Sequence, residues 1–424
     1  MAFLVRHNTS YLRPIEISDE VLFANAQPPV PHTSPGFIAI FREYAVICSS
    51  SLTSKHSELL FTKDAQPFLI SGSGTLGWDQ VAANLVEPGE SVLLLDCGYF
   101  GDSFAQCLRT YGGNVTKLKA PLGYAILPSQ LENALKEKKY KIVAFTHIDS
   151  STGVLSDAQA LAAVVHRLAP ETLVYSLLHF QPILVVMDGV CSVASEEIKM
   201  DEWGLDVVLT GSQKGIGIPP GLSILVASRR TMEVFRMRRA PVGSYYVSWN
   251  KWLPIMEAYE SNRPDYFATP PINLIYAYNT SLKQILYSPT LSLTERFQRH
   301  KQASKAIREA VESLGLKMVA QREEERANGL TTVYFPDGMN ASDLLPGMEA
   351  RGVLIAGGLH EEIKDKYFRI GFVIVSLIPT VSTDFGKKSR HMGVSVVDER
   401  RKDIQLIIGF LKEVFAEFKA QKAT

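Results

Sequence analysis

The chain has 424 residues, 46% of them apolar and 21% charged, and its 44 basic and 44 acidic side chains cancel to a formal charge of zero. That length suits two domains, or one large domain with an appendage. The neutral balance argues against nucleic acid as a partner, because such binders carry a basic excess. No run of about 18 apolar residues offers a membrane span. The four cysteines, Cys48, Cys97, Cys107 and Cys191, form no CxxC pair and show no metal-ligand spacing, so no metal is expected and a reducing compartment fits. Arg6 and Arg13, with no acid before Glu16, give a short stretch the bias of a mitochondrial presequence, and the terminal Gln421-Lys422-Ala423-Thr424 is not a peroxisomal signal. The expectation is a cytoplasmic protein, with peroxisome or mitochondrion as alternatives.

In chain order, residues 1–67 are broken by Pro28-Pro29-Val30-Pro31 and Pro35-Gly36, with a helix expected over Phe37–Ile47. Regular alternation starts at Phe68. Strands are expected at Phe68–Ile70, Ser91–Leu95, Val115–Leu118, Lys141–Thr146, Ile183–Met187, Asp206–Leu209 and Leu222–Ala227. Helices are expected at Trp78–Val86, Ser103–Tyr111, Ser129–Lys138, Asp157–Leu168 and Arg229–Arg239. Strands separated by such helices make an α/β domain with a mainly parallel sheet. From about residue 285 the pattern becomes α+β. Long helical stretches are joined there by short strands at Thr331–Phe335, Val353–Ile355 and Lys366–Ile370, and a helix closes the chain from Asp403. The expected organisation is an arm over 1–14, a large domain over 15–285 and a smaller C-terminal domain over 286–424.

Ligands of parallel α/β sheets sit at the carboxyl ends of the strands, and each suggestive loop here follows a strand. Lys214 lies in Gly211-Ser212-Gln213-Lys214-Gly215, ahead of Pro219-Pro220-Gly221. An amine in such a tight turn forms a Schiff base with an aldehyde, or is a solvated loop lysine. An aldehyde cofactor with a pyridine ring and a phosphate needs further partners. Asp188, ending a buried strand, suits the protonated ring nitrogen, or is a loop or capping Asp. Ser71-Gly72-Ser73-Gly74-Thr75, ahead of a helix, suits the phosphate. Phe100, expected in a loop, and Val190 can cover the ring faces, or belong to the core. Arg369, inside an apolar strand, suits a substrate carboxylate or a structural ion pair.

Together, Ser71-Gly72-Ser73-Gly74, Ser150-Ser151-Thr152-Gly153-Val154-Leu155, Asp188-Gly189-Val190-Cys191-Ser192 and Gly211-Ser212-Gln213-Lys214 resemble the alanine–glyoxylate/serine–pyruvate aminotransferases of class V. Thr75-Leu76-Gly77-Trp78-Asp79 resembles their fungal branch. The likeness runs from about Pro14 to the C-terminal helix. It implies the fold-type I architecture, pyridoxal 5'-phosphate as cofactor, and amino transfer from alanine or serine to glyoxylate or pyruvate. It implies Lys214 as Schiff-base lysine and proton shuttle, Asp188 at the ring nitrogen, Phe100 and Val190 on the ring faces, and Ser150 at the ring edge. It further implies Ser73, Gly74, Thr75 and Gln213 at the phosphate, and Arg369 at the substrate carboxylate. Tyr266 and Thr269 match the pair that reaches the neighbouring subunit's phosphate, which implies a homodimer with shared active sites.

Three places depart from the family: the arm with Leu12-Arg13-Pro14 and the stretch 47–58, about eleven extra residues over 175–185, and nineteen over 372–390 beside Arg369. The family pattern resumes abruptly on both sides of the last two, so our hypothesis is that they are retained untranslated segments. A transcript carrying both in frame would refute it, and would leave an impaired homologue as the alternative function. Another fold-type I enzyme is the other alternative. A desulfurase needs a catalytic cysteine in its small domain, and none follows Cys191.

Overall fold

A computed structural model describes residues 17–48, 59–169, 182–351, 353–371 and 403–423. The 1–14 arm, most of the 47–58 stretch, residues 175–181 and the whole of 372–390 lie outside them. Leu184 and Val185, counted above among the extra residues, are instead fully buried strand residues, paired with Ile142 and Val143.

The first strands are β1 (Gln66–Ser71), β2 (Ser91–Asp96), β3 (Asn114–Lys119) and β4 (Ile142–Thr146). A two-residue hairpin follows, β5 (Ile148–Asp149) with β6 (Val154–Leu155). Then come β7 (Leu184–Asp188), β8 (Val207–Gly211) and β9 (Leu222–Ala227). Seven of these form one sheet in the order β1-β9-β8-β7-β4-β2-β3. From β3 to β8 neighbours are parallel, while β9 is antiparallel to both β8 and β1. Hence β1 points the same way as β8, and Ser71 lies at the same edge as Asp188 and Gly211. The central strands β4, β7 and β8 are buried at every position, as expected of Val/Ile/Leu runs covered on both faces. The edge strand β3 alternates instead and carries Lys117 and Lys119, charges that discourage pairing with another chain.

Helices lie between the strands, and some of them begin at a side-chain cap. Asp157 accepts from Ala160 N at 2.9 Å ahead of the Ala158–Leu168 helix. Ser292 and Glu295 form a reciprocal capping box ahead of Leu293–Ser313. Phe100 departs from the reading above: it sits in the first turn of the Tyr99–Thr110 helix and not in a loop. Among the described residues four helices went unread, Asp19–Asn25, Met200–Trp203, Trp249–Glu260 and Ile272–Leu286. Trp249–Glu260 contains Pro254, a residue that argues against a helix from sequence.

A second apolar cluster forms around β10 (Leu330–Tyr334), β11 (Ala356–Gly357) and β12 (Tyr367–Gly371), an antiparallel sheet in the order β10-β12-β11. The helices Leu293–Ser313, Ala341–Ala350 and Asp403–Ala423 supply Ile307, Val311, Leu344, Met348, Leu411 and Phe415 to it. Val353–Ile355, expected as a strand, is not one; the pairing falls at Ala356–Gly357.

Candidate active site

The lysine turn begins where β8 ends. Ser212 N donates to Leu222 O at 3.0 Å, Ser212 Oγ donates to Pro219 O at 2.8 Å, and Gly217 N closes back on Lys214 O at 2.8 Å. Gly215 cannot carry a side chain, because a Cβ there would collide with the Val193 carbonyl. Lys214 is half-buried, projecting from a backbone tied down on both sides.

Asp188 ends the neighbouring strand, with Leu209 as its partner across β8. Its side chain is buried. Oδ1 accepts from Val190 N and Oδ2 from Trp78 Nε1, both at 2.8 Å. Burial pushes its pKa up to about 6, opposed by these two donors and by the Lys214 charge, and reinforced by the Asp149 charge. An anion held here is available to a protonated ring nitrogen. The nearby His147 is no rival as a base: burial holds its pKa down to about 4, so it stays neutral, and its ring packs against Trp203.

The phosphate-binding candidate faces the lysine turn. Gly72 N donates to Gly221 O at 3.0 Å while Ser212 N takes Leu222 O, so both loops are stitched to the start of β9. Thr75 precedes the Leu76–Leu85 helix without a side-chain cap, and Leu76 N, Gly77 N and Trp78 N donate to Ser73 O, Gly74 O and Thr75 O at 3.0, 2.9 and 3.0 Å, so an anion here would meet the Ser73–Thr75 loop itself. Ser73 and Thr75 are exposed and Gly74 is buried. A Cβ on Gly74 would lie 2.7 Å from Val190 Cγ2, so a larger residue there would displace the Val190 side chain. Gln213 Oε1 is buried without a partner. Val190, Gly74, Gln213, Asp188 and Lys214 thus converge on one edge of the sheet.

Asp149 was not singled out by the sequence, yet it organises the opposite wall. Oδ2 accepts from Phe100 N at 3.0 Å and Gly101 N at 3.2 Å, and Oδ1 from Ser151 N at 2.9 Å and Ser151 Oγ at 2.6 Å. It is fully buried, and burial raises its pKa. An acidic side chain at a helix N-terminus is favourable, and this one sets where the Phe100 ring stands. Asp149→Ala leaves four donors without their acceptor, so a loss of roughly 3 kcal/mol is expected. Thermal melting checks it; an unchanged Tm would contradict the assignment.

Arg369 reaches the same wall from β12. Its Nε donates to Gly357 O at 2.8 Å and its Nη1 to Ser150 O at 3.2 Å. Ser150 is buried at this junction. Tyr367 Oη donates to Ser151 O, and Thr332 Oγ1 donates to Thr152 O at 2.6 Å, so β10 and β12 dock on the 150–153 loop. Among the described residues no carboxylate pairs with Arg369, although burial lowers its pKa. Within the described residues its hydrogen-bond partners are backbone carbonyls. Tyr266 and Thr269 stand apart on an exposed stretch, with Tyr266 at 64% exposure beside the His32 ring.

The residues present fit pyridoxal phosphate: an amine in a rigid turn, a buried carboxylate, exposed Ser73 and Thr75 beside a closely packed glycine, and an unpartnered buried amide oxygen. Among the described residues, no His/Cys/Asp/Glu group could hold a metal and no helix is long and apolar enough to cross a membrane. The class-V aminotransferase family model matches residues 54–377. Alanine–glyoxylate aminotransferase 1 of Saccharomyces cerevisiae is 37% identical over 375 residues, covering 86% of this chain and 91% of that protein. The L-aspartate–glyoxylate aminotransferase of Paracoccus denitrificans is 31% identical over 362 residues, covering 84% of each. The solved alanine–glyoxylate aminotransferase from Nostoc sp. superposes with a TM-score of 0.78 at 26% identity, covering 94% of this chain and 92% of that one. The chain belongs to the class-V aminotransferases, enzymes of the fold-type I architecture that use pyridoxal phosphate to transfer amino groups.

Proposed function

We propose that this aminotransferase moves the amino group of alanine, or of serine, to glyoxylate, with pyruvate as a second acceptor. The observation that carries the reading is that Arg369, without a carboxylate partner among the described residues, points into the wall formed by Ser150, on the edge that holds Lys214 and Asp188. The 37% identity to the yeast enzyme supports the donor and acceptor pair.

Pyridoxal phosphate, when bound, supplies an electrophilic aldehyde carbon and a ring that accepts the electrons released when an amino acid's Cα–H bond breaks. Lys214 Nζ would hold that carbon and, once free of it, would carry the proton that leaves the substrate's Cα. Asp188 holds the proton on the ring nitrogen. Ser73, Gly74, Thr75 and Gln213 hold the phosphate, Phe100 and Val190 flank the ring, and Ser150 lies at its edge. Arg369 orients the substrate carboxylate through its planar fork.

The exposed Tyr266 and Thr269 fit a second subunit's phosphate, which makes the active unit a homodimer with shared sites. The two apolar clusters support a division near residue 285 into a large and a small domain. Cys97, Cys107 and Cys191 are free thiols, in keeping with the cytoplasm or with the interior of a peroxisome or mitochondrion.

Steady-state rates with alanine or serine as donor and glyoxylate or pyruvate as acceptor test the reading. Alanine with glyoxylate should give the highest kcat/KM; no turnover with any pair would refute it. For Arg369→Lys, which keeps the charge and loses the fork, KM for alanine should rise about 10- to 100-fold with a smaller fall in kcat. An unchanged KM would remove Arg369 from the substrate site.

A further inference from the structure

We propose that Trp78 is a positioning residue for Asp188: its indole N–H holds the carboxylate in the plane and charge state that the cofactor's ring nitrogen requires. The proposal rests on the pyridoxal-phosphate reading above and extends it to a residue outside the cofactor's immediate contacts.

Asp188 Oδ2 accepts from Trp78 Nε1 at 2.8 Å, while Oδ1 accepts from Val190 N at the same distance. An indole nitrogen is a donor only, so this contact always favours the anion over the neutral acid. Each carboxylate oxygen has more than one lone-pair site, so either can also take a proton donor from the ring. The carboxylate is fixed at both oxygens, in a site where burial otherwise drives it toward protonation. Trp78 is itself held. It is 5% exposed, stacks on Phe104 with ring centroids 5.3 Å apart and planes 14° apart, and meets the Phe100 ring edge-on at 6.5 Å.

The placement along the chain adds a second consequence. Trp78 lies one turn into the Leu76–Leu85 helix, whose leading loop is the candidate phosphate cradle. One short helix and the loop leading into it therefore address both ends of the cofactor, the phosphate through Ser73–Thr75 and the ring nitrogen through Trp78 and Asp188. A shift of that helix moves both contacts together.

The test is a titration of cofactor-stripped protein with pyridoxal 5'-phosphate across pH 5 to about 9, read by absorbance, for wild type, Trp78→Phe, Asp188→Asn and the double variant. Trp78→Phe keeps an aromatic ring against Phe104 and deletes the donor together with the indole's second ring, and the Asp188→Asn background separates these two effects. Its affinity should fall about 10-fold at neutral pH, and the pH at which binding is half lost should move upward. In the Asp188→Asn background the same change should alter affinity by less than about twofold, because the effect runs through the carboxylate. An unmoved pH midpoint, or an equal loss in both backgrounds, overturns the proposal. Tighter binding by Trp78→Phe also overturns it, because the indole would then be competing with the ring nitrogen for Oδ2. If wild type itself does not bind, the cofactor reading fails instead. Should Trp78→Phe not fold, the indole N–H resonances of wild type decide. One of them should titrate with the carboxylate and cease to do so in Asp188→Asn; the absence of such a resonance refutes the proposal.

Discussion

Lys214→Ala is expected to lower the rate of amino transfer by at least about 10³-fold while leaving weak cofactor binding. The size follows from two jobs held by one atom. On the proposed reading Nζ anchors the aldehyde carbon and also carries the proton from Cα. Among the described residues neither His147, which burial makes a weak base, nor Arg369, which does not give up its proton, suits the second job. What survives is the phosphate cradle of Ser73, Gly74 and Thr75 together with Asp188, none of which the substitution touches. Single-turnover conversion of alanine to pyruvate on cofactor-loaded protein measures the loss. Retained turnover would show that the proton moves by another route.

Asp188→Asn is expected to weaken pyridoxal phosphate roughly 10- to 100-fold and to slow amino transfer by at least as much. The neutral amide cannot oppose the ring's positive charge, and the electron sink weakens with it. Wild type should show a matching pH dependence. Only the anion accepts the ring N–H and balances its charge, and in the cofactor-free protein Asp188 is protonated below about pH 6. Affinity should therefore be full above that value and fall as pH drops through it. In Asp188→Asn this pH step should be absent. A step that persists in the variant would belong to a different group.

The parts of the site that lie on strand ends were legible in the sequence. Lys214 and Asp188 each follow an unbroken apolar run, and such runs become buried parallel strands whose carboxyl ends share an edge. The Ser71–Thr75 loop was legible for the same reason, although only the topology shows that β1 points the way β8 does. Asp149 and Trp78 were not legible. Each acts through a partner far along the chain: Asp149 through Phe100 N, 49 residues away, and Trp78 through Asp188, 110 residues away. A tryptophan in an amphipathic helix reads as core, and Trp78 is core on every side but its N–H. Arg369 was picked out as an anomaly in an apolar strand; the structure adds its hydrogen bond to Ser150 O, 219 residues away. Phe100 was placed in a loop because Gly98 and Gly101 flank it, but Asp149 binds the amides there and lets the helix begin at Tyr99.

The central claim is that Lys214 carries the cofactor. Borohydride reduction of cofactor-loaded protein fixes the aldehyde carbon onto whichever amine holds it, and peptide mass mapping then locates the label. The account predicts a pyridoxyl group on the peptide containing Gln213-Lys214-Gly215 and on no other lysine. Label on a different lysine, or none on protein that binds the cofactor, would contradict it.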